Sequence, residues 1–198
     1  GRLSPDCVRL TENMPVTDFA PLEDGLCFVQ DESSAYVASL LDARPGMTVC
    51  DVCACPGGKS FSAALSMKNE GVIYSFDLHE NKLSLIENGA KRLGIDIIKT
   101  EARDAREPSE VLFSRADRVL CDVPCSGFGV LRKKPELRSR AVSETEGLPQ
   151  IQYDILDASS RYVKSGGLLV YSTCTLNKRE NEEVASRFLR EHGEFSPA

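Results

Sequence analysis

The sequence predicts an α/β fold built on a mostly parallel, doubly wound sheet. Three observations carry that expectation. Short apolar runs alternate with segments whose apolar residues recur at helical spacing. Asp51, Asp77, Asp122 and Cys174 each fall at or near the end of such a run, and parallel strands bring those ends to one rim. Between the first run and the next helix lies residues 51–59, Asp-Val-Cys-Ala-Cys-Pro-Gly-Gly-Lys, a strand–loop–helix passage of the kind that cradles a small molecule.

Taken in order, residues 1–25 carry Pro5, Pro15 and Pro21 without a clear period and read as an extended lead-in, the end of a preceding domain. Residues 26–198 read as one further domain. Residues 27–29 form a short strand-like run. Asp31 or Ser33 can cap a helix with Tyr36, Val37, Leu40 and Leu41 on its apolar face. Pro45 and Gly46 end it. Strands are predicted over 47–50, 71–77, 95–98, 119–122 and 168–171. Leu83, Ile86, Ala90 and Leu93 mark a helix stopped by Gly94, and Ile151, Ile155, Leu156, Tyr162 and Val163 mark another. Asn177 with Glu180 resembles a capping box for a last helix bearing Val184, Phe188 and Leu189.

Composition narrows the class. At 198 residues the chain is long enough for a full core. No apolar run is long enough to span a membrane and no signal-peptide shape is present, so a cytoplasmic protein is expected. Eight cysteines, several inside strands or beside glycines, fit free thiols in a reducing compartment. A net charge of −6 argues weakly against a nucleic-acid partner, although a local basic patch can supply the positive surface. Cys50, Cys53 and Cys55 lack regular spacing and a fourth ligand, so no metal is expected. His79 and His192 read as isolated and solvent-exposed. Arg132, Lys133 and Lys134 form a basic cluster, either a solvated surface or a phosphate contact.

Gly57 and Gly58 permit backbone conformations closed to other residues and a close ligand approach. Asp77, twenty residues beyond Gly57, can accept hydrogen bonds from ribose hydroxyls. Together they suggest an adenosine-containing cofactor without separating NAD from S-adenosylmethionine, though the loop departs from the dinucleotide fingerprint. Asp77 as a plain solvated strand end is the bland alternative. Asp104 can bond an adenine amino group or stand as a surface charge. Asp122 and Cys125 share one loop, and Cys174 sits on another. A thiolate there can add to an electron-poor ring carbon. Cys50 and Cys121 read as buried small hydrophobes.

The motifs 51–59, 122–127 (Asp-Val-Pro-Cys-Ser-Gly), 132–136 (Arg-Lys-Lys-Pro-Glu) and 171–175 (Tyr-Ser-Thr-Cys-Thr) resemble, in order, those of the RNA cytosine-5 methyltransferases, most of all the bacterial Sun/Fmu type. Residues 29–34 and 181–183 fit as well. The resemblance runs from about Gly25 to Leu189. It implies a Rossmann-like methyltransferase fold, S-adenosylmethionine as cofactor, and RNA, above all small-subunit ribosomal RNA, as partner. It implies cofactor contacts at Cys53, Ala54, Cys55, Pro56, Gly57, Gly58, Lys59, Asp77, Asp104 and Asp122. It makes Cys174 the nucleophile, Cys125 the residue that helps release product, and Asp122 a support for the target base. Cys55, Arg103 and Glu136 stand where alanine, glycine and aspartate are usual in that family. The family's final pair of strands and its RNA-binding domain lie outside these residues, so the catalytic domain is expected to be incomplete at its carboxyl end. A non-catalytic RNA-binding or assembly module is the alternative from another class.

Overall fold

The computed structural model describes residues 7, 8, 15, 18–139 and 142–198, so most of the predicted lead-in lies outside the described residues. Five strands form one sheet: β1 (Thr48–Asp51), β2 (Val72–Asp77), β3 (Ile98–Ala102), β4 (Ala116–Asp122) and β5 (Val163–Ser172). Their order is β3-β2-β1-β4-β5, and every pairing is parallel. The chain winds outward from β1 to β3, then returns to the other side of β1 with β4. The loops after β1 and β4 therefore part at the switch in winding direction, where open α/β sheets bind ligands.

Among the described residues, six α-helices accompany the sheet: α1 (Ala20–Glu23), α2 (Glu32–Leu40), α3 (Gly58–Ser66), α4 (Glu80–Arg92), α5 (Leu148–Ser160) and α6 (Glu182–Glu191). Strand alternation divides the core into two layers. Val49, Ile73 and Leu120 join α3 and α4 on one face, through Phe61, Leu83 and Ile86. Cys50, Phe76, Val119 and Cys121 join α5 and α6 on the other, through Tyr153, Leu156, Val184 and Phe188. Each such large side chain contributes about 1.5–3 kcal/mol when fully buried.

Several sequence expectations are corrected. Residues 27–29 form no strand; Phe28 instead packs edge-on against Phe61, ring centroids 5.6 Å apart. The helix after Asp31 forms, with Asp31 accepting from the Ser33 N–H at 2.9 Å. Its buried face, however, is Ala35, Ala38 and Leu41, while Tyr36 and Leu40 are exposed. Small alanines let α2 approach α3 closely, and that packing outweighs the hydrophobicity of the larger neighbours.

The third strand starts at Ile98 rather than Ile95. Ile95 belongs to the end of α4: its N–H bonds the Ala90 carbonyl at 2.9 Å and the Gly94 N–H bonds Lys91 at 3.2 Å, with Gly94 at φ 65°. This is a Schellman stop, and the buried Ile95 is its hydrophobic contact. The fifth strand starts at Val163 and contains Gly166 and Gly167. The register shifts opposite Ala116 and Arg118, and a Cβ on Gly167 would lie 2.9 Å from the Lys164 carbonyl oxygen. The glycines thus make a bulge inside the strand rather than a turn before it.

The end of the lead-in is tied down. Arg92 donates to the carbonyls of Leu22 and Cys27, and the backbone at Gly25 lies so close to the Arg92 carbonyl that no Cβ fits. His192 is also not the isolated exposed residue expected from sequence. Its ring stacks on Phe188 at 4.2 Å and meets Asp157 at 3.0 Å and Glu194 at 3.1 Å.

Candidate active site

A cleft of about 200 Å³ opens at the switch point, lined on one side by Asp51, Cys53, Ala54, Cys55, Pro56, Gly58 and Lys59 and on the other by Asp122. Val29, Gln30, Asp31 and Ser34 close a third side. The loop reaches this position because Val52 N–H bonds Leu120 and Ala54 N–H bonds Phe76, carrying the β1 extension between its neighbours.

The two glycines have different tasks. Gly57 caps α3 with φ 109°, and a Cβ there would lie 2.5 Å from the Phe61 ring. Gly57 is needed for its backbone and for the room that Phe61 takes. Gly58 lines the cleft, and its Cβ position is 3.4 Å from Gln30 Nε2.

In the sequence Asp51 stands as a strand end. It is buried at the cleft floor, with Oδ2 accepting from Ser60 Oγ at 2.7 Å and Oδ1 without a protein partner. Ser60 Oγ also meets Ser75 Oγ at 2.8 Å. Burial pushes the Asp51 carboxyl up to about 6, against the Ser60 hydrogen bond. The signal for Asp51 was its place directly before the loop.

Asp122 faces it from β4. Its Oδ2 accepts from Lys59 Nζ at 2.5 Å and its Oδ1 from Ser172 Oγ at 2.7 Å. Lys59 and Asp122 are both largely shielded, and they link the loops after β1 and β4 across the mouth. Asp77 ends β2 beside this loop and accepts the His79 N–H at 3.1 Å. Asp104 turns to Arg106, whose Nε and Nη2 bond it at 3.0 Å and 2.5 Å. That contact holds the Asp104 carboxyl below its ordinary range. Neither Asp77 nor Asp104 lines the cleft itself.

The two expected thiols meet. Cys125 Sγ and Cys174 Sγ lie 3.1 Å apart, and the Cys174 N–H donates to Cys125 Sγ at 3.2 Å. The Cys125 thiol, acting as donor, lowers Cys174 to about 7, assisted by Lys134 and opposed by burial and Asp122. The same contact, with burial, pushes Cys125 up. The two thiols are thus shifted in opposite directions, Cys174 toward the thiolate and Cys125 toward the protonated form. Burial pushes Cys50 and Cys121 up to about 12, as suits inert core residues. In the basic cluster, Lys133 pairs with Asp31, closing the cleft's third side. Among the described residues no group of three His, Cys, Asp or Glu side chains could hold a metal ion, and no helix is long and apolar enough to cross a membrane.

Sequence reasoning missed Glu180 as a site residue. Its carboxylate does not complete a capping box, because the Asn177 N–H goes to Thr175 Oγ1 at 3.2 Å. Glu180 instead reaches back to Ser126 and Gln152. A sequence-local pattern hid a contact spanning 54 residues.

Comparison with known proteins identifies the family of the chain. The chain is 44% identical over 200 residues to the probable ribosomal RNA small subunit methyltransferase B of Bacillus subtilis, covering 100% of this chain and 44% of that protein. NSun6 from Pyrococcus horikoshii, solved with SFG, superposes with a TM-score of 0.81 at 31% identity, covering 90% of this chain and 46% of the other. A methyltransferase homologue from Pyrococcus horikoshii gives a TM-score of 0.80 at 34% identity, covering 90% and 56%. The chain spans less than half the length of the curated relatives it matches. The family profile for 16S rRNA methyltransferase RsmB/F covers residues 38–197, and with these thiols, this cleft and this sheet order the chain belongs to that family.

Proposed function

We propose that the chain transfers a methyl group from S-adenosylmethionine to C5 of a cytosine in RNA, with small-subunit ribosomal RNA as the substrate class. The observation that carries this reading is the 3.1 Å meeting of two unequal thiols beside a cleft at the switch point.

The cleft's chemistry fits the cofactor. Asp51 Oδ1 is a buried acceptor with no protein partner, complementary to an ammonium group. Cys53, Ala54, Cys55, Pro56, Gly58 and Lys59 would border the bound molecule, with Asp77 at the neighbouring strand end for ribose hydroxyls. The engagement of Asp104 with Arg106 makes an adenine contact there depend on that pair opening. Once bound, the cofactor supplies an electrophilic methyl group on a sulfonium.

The protein's task is to make cytosine C5 nucleophilic. Cys174 thiolate adds to C6, forming an S–C6 bond and moving the ring's electron pair toward C5. Asp122 supports the ring nitrogen as charge shifts, steadied by Lys59 and Ser172. After methylation, loss of the C5 proton to a base returns the electron pair to the ring and the C6–S bond breaks. Cys125 assists that departure by holding a proton toward Cys174 Sγ. Exposed Arg132 and Lys134 offer phosphate contacts near the thiols despite the chain's net charge of −6. A target base must leave its stack to reach them.

The test is to incubate the chain with labelled S-adenosylmethionine and small-subunit ribosomal RNA and to map methylated cytosines by mass spectrometry. Methylcytosine is expected, lost in Cys174→Ala with cofactor binding retained. Cys125→Ala should accumulate a covalent protein–RNA species. Methylation that survives in Cys174→Ala would overturn the reading.

A further inference from the structure

We infer that Glu180 is a positioning residue: it fixes the peptide groups on both sides of Cys125 and so holds Cys125 against Cys174. This deepens the reading above, because the pair matters only if it reacts.

Glu180 closes the single turn Lys178–Glu180 after β5 and has no exposed surface. Its Oε2 accepts the Ser126 N–H at 2.8 Å and Gln152 Nε2 at 2.9 Å. The same Gln152 nitrogen donates to the Pro124 carbonyl at 2.9 Å. The residues before and after Cys125 are thus held through one carboxylate. Its Oε1 accepts from Asn177 Nδ2 at 2.9 Å, on the segment that carries Cys174. Ser126 Oγ to Thr175 Oγ1 at 2.7 Å and Gly129 N–H to the Cys174 carbonyl at 3.0 Å brace the same two loops. The sulfur atoms are not among the hydrogen-bond partners of the carboxylate, so Glu180 acts through the loops.

The choice of a carboxylate follows from the donors. Burial opposes the charge, yet hydrogen bonds from Ser126, Gln152 and Asn177 hold Glu180 below its ordinary range. Converging N–H groups need an acceptor-only side chain. A glutamine would turn its NH₂ against one of them.

The experiment is a pH series of iodoacetamide alkylation on the 198-residue chain, with the Cys174 peptide quantified by mass spectrometry. The charged or titratable groups facing Cys174 are Cys125, Asp122 and Lys134, and all stay intact in the Glu180 variants. Cys125→Ala removes the donor and should move the Cys174 midpoint upward by about one pH unit, a tenfold loss of thiolate below it. Glu180→Ala should do much the same, and should add less than about twofold when Cys125 is already alanine. A folded Glu180→Ala chain with the wild-type midpoint overturns the inference. So does an effect of equal size in the Cys125→Ala background. If Glu180→Ala fails to fold by circular dichroism, Glu180→Gln is judged by the same criteria. No RNA or methyl donor enters the measurement, so its outcome is separate from that of methyl transfer.

Discussion

Cys125 Sγ and Cys174 Sγ sit 3.1 Å apart although 49 residues separate them, and the contact makes the two thiols chemically unlike. Cys174 is the one held near 7. Its alkylation by iodoacetamide should rise about tenfold from pH 6 to pH 8 and then level off. Cys50 and Cys121, near 12 and inside strands, should stay unmodified while the chain is folded. Peptide mapping decides this; Cys174 reacting no faster than Cys50 would contradict the assignment.

Asp51 should leave a pH signature on stability. Its carboxyl is raised by burial to about 6 from 3.8, so between those values the folded chain holds a proton that the unfolded chain has released. Stability from this group therefore falls as pH rises through about 4 to 6. Relative to Asp51→Asn, the wild type should lose about 3 kcal/mol across that window, at 1.36 kcal/mol per pH unit. Urea titrations of both chains at pH 3.5 and 7 measure the difference, which cancels the other carboxylates.

Phe61 is wedged between two glycines. A Cβ on Gly57 would lie 2.5 Å from its ring and one on Gly89 would lie 2.4 Å from it. Gly89 is inside α4, where alanine ordinarily gains about 1 kcal/mol. Here Gly89→Ala should instead cost about 1–3 kcal/mol, because the buried ring cannot withdraw. Chemical denaturation gives the sign directly, and a stabilised Gly89→Ala chain would refute the wedge.

Lys59 and Asp122 are partners across the cleft mouth. Asp122→Asn keeps the shape but removes the charge that the proposed mechanism sets against the ring nitrogen. Methyl transfer should fall at least about a hundredfold, the scale of losing one electrostatic contact to a transition state. The thermal midpoint should move by only a few degrees. A variant with near-normal turnover would remove Asp122 from the chemistry.

Much of this architecture is legible in the residues because its signals are local. Val49, Ile73 and Leu120 sit in short apolar runs, as buried strands do, and Leu83, Ile86 and Ala90 repeat as a helix must. The site loop is legible because Pro56 fixes its own φ while Gly57 permits the positive φ, 109°, that leads into α3. What escapes is set by distant partners. Tyr36 outranks Ala35 in hydrophobicity, yet close helix packing selects the alanine. Ile95 has strand character, yet the Gly94 stop uses it as a helix contact. Glu180 matches a capping pattern, yet its donors are the distant Ser126 and Gln152 and the side chain, not the backbone, of Asn177.

The tether from Arg92 to Leu22 and Cys27 sets a limit for anyone trimming this protein. Residues 29–31 wall the cleft, and the stretch that leads into them is clamped on α4. A shortened version starting near residue 18 keeps that clamp and should crystallise with an intact ligand floor. One starting at residue 30 keeps every strand of the sheet but should lose small-molecule affinity, so solubility alone is a poor guide to where the amino end can be cut.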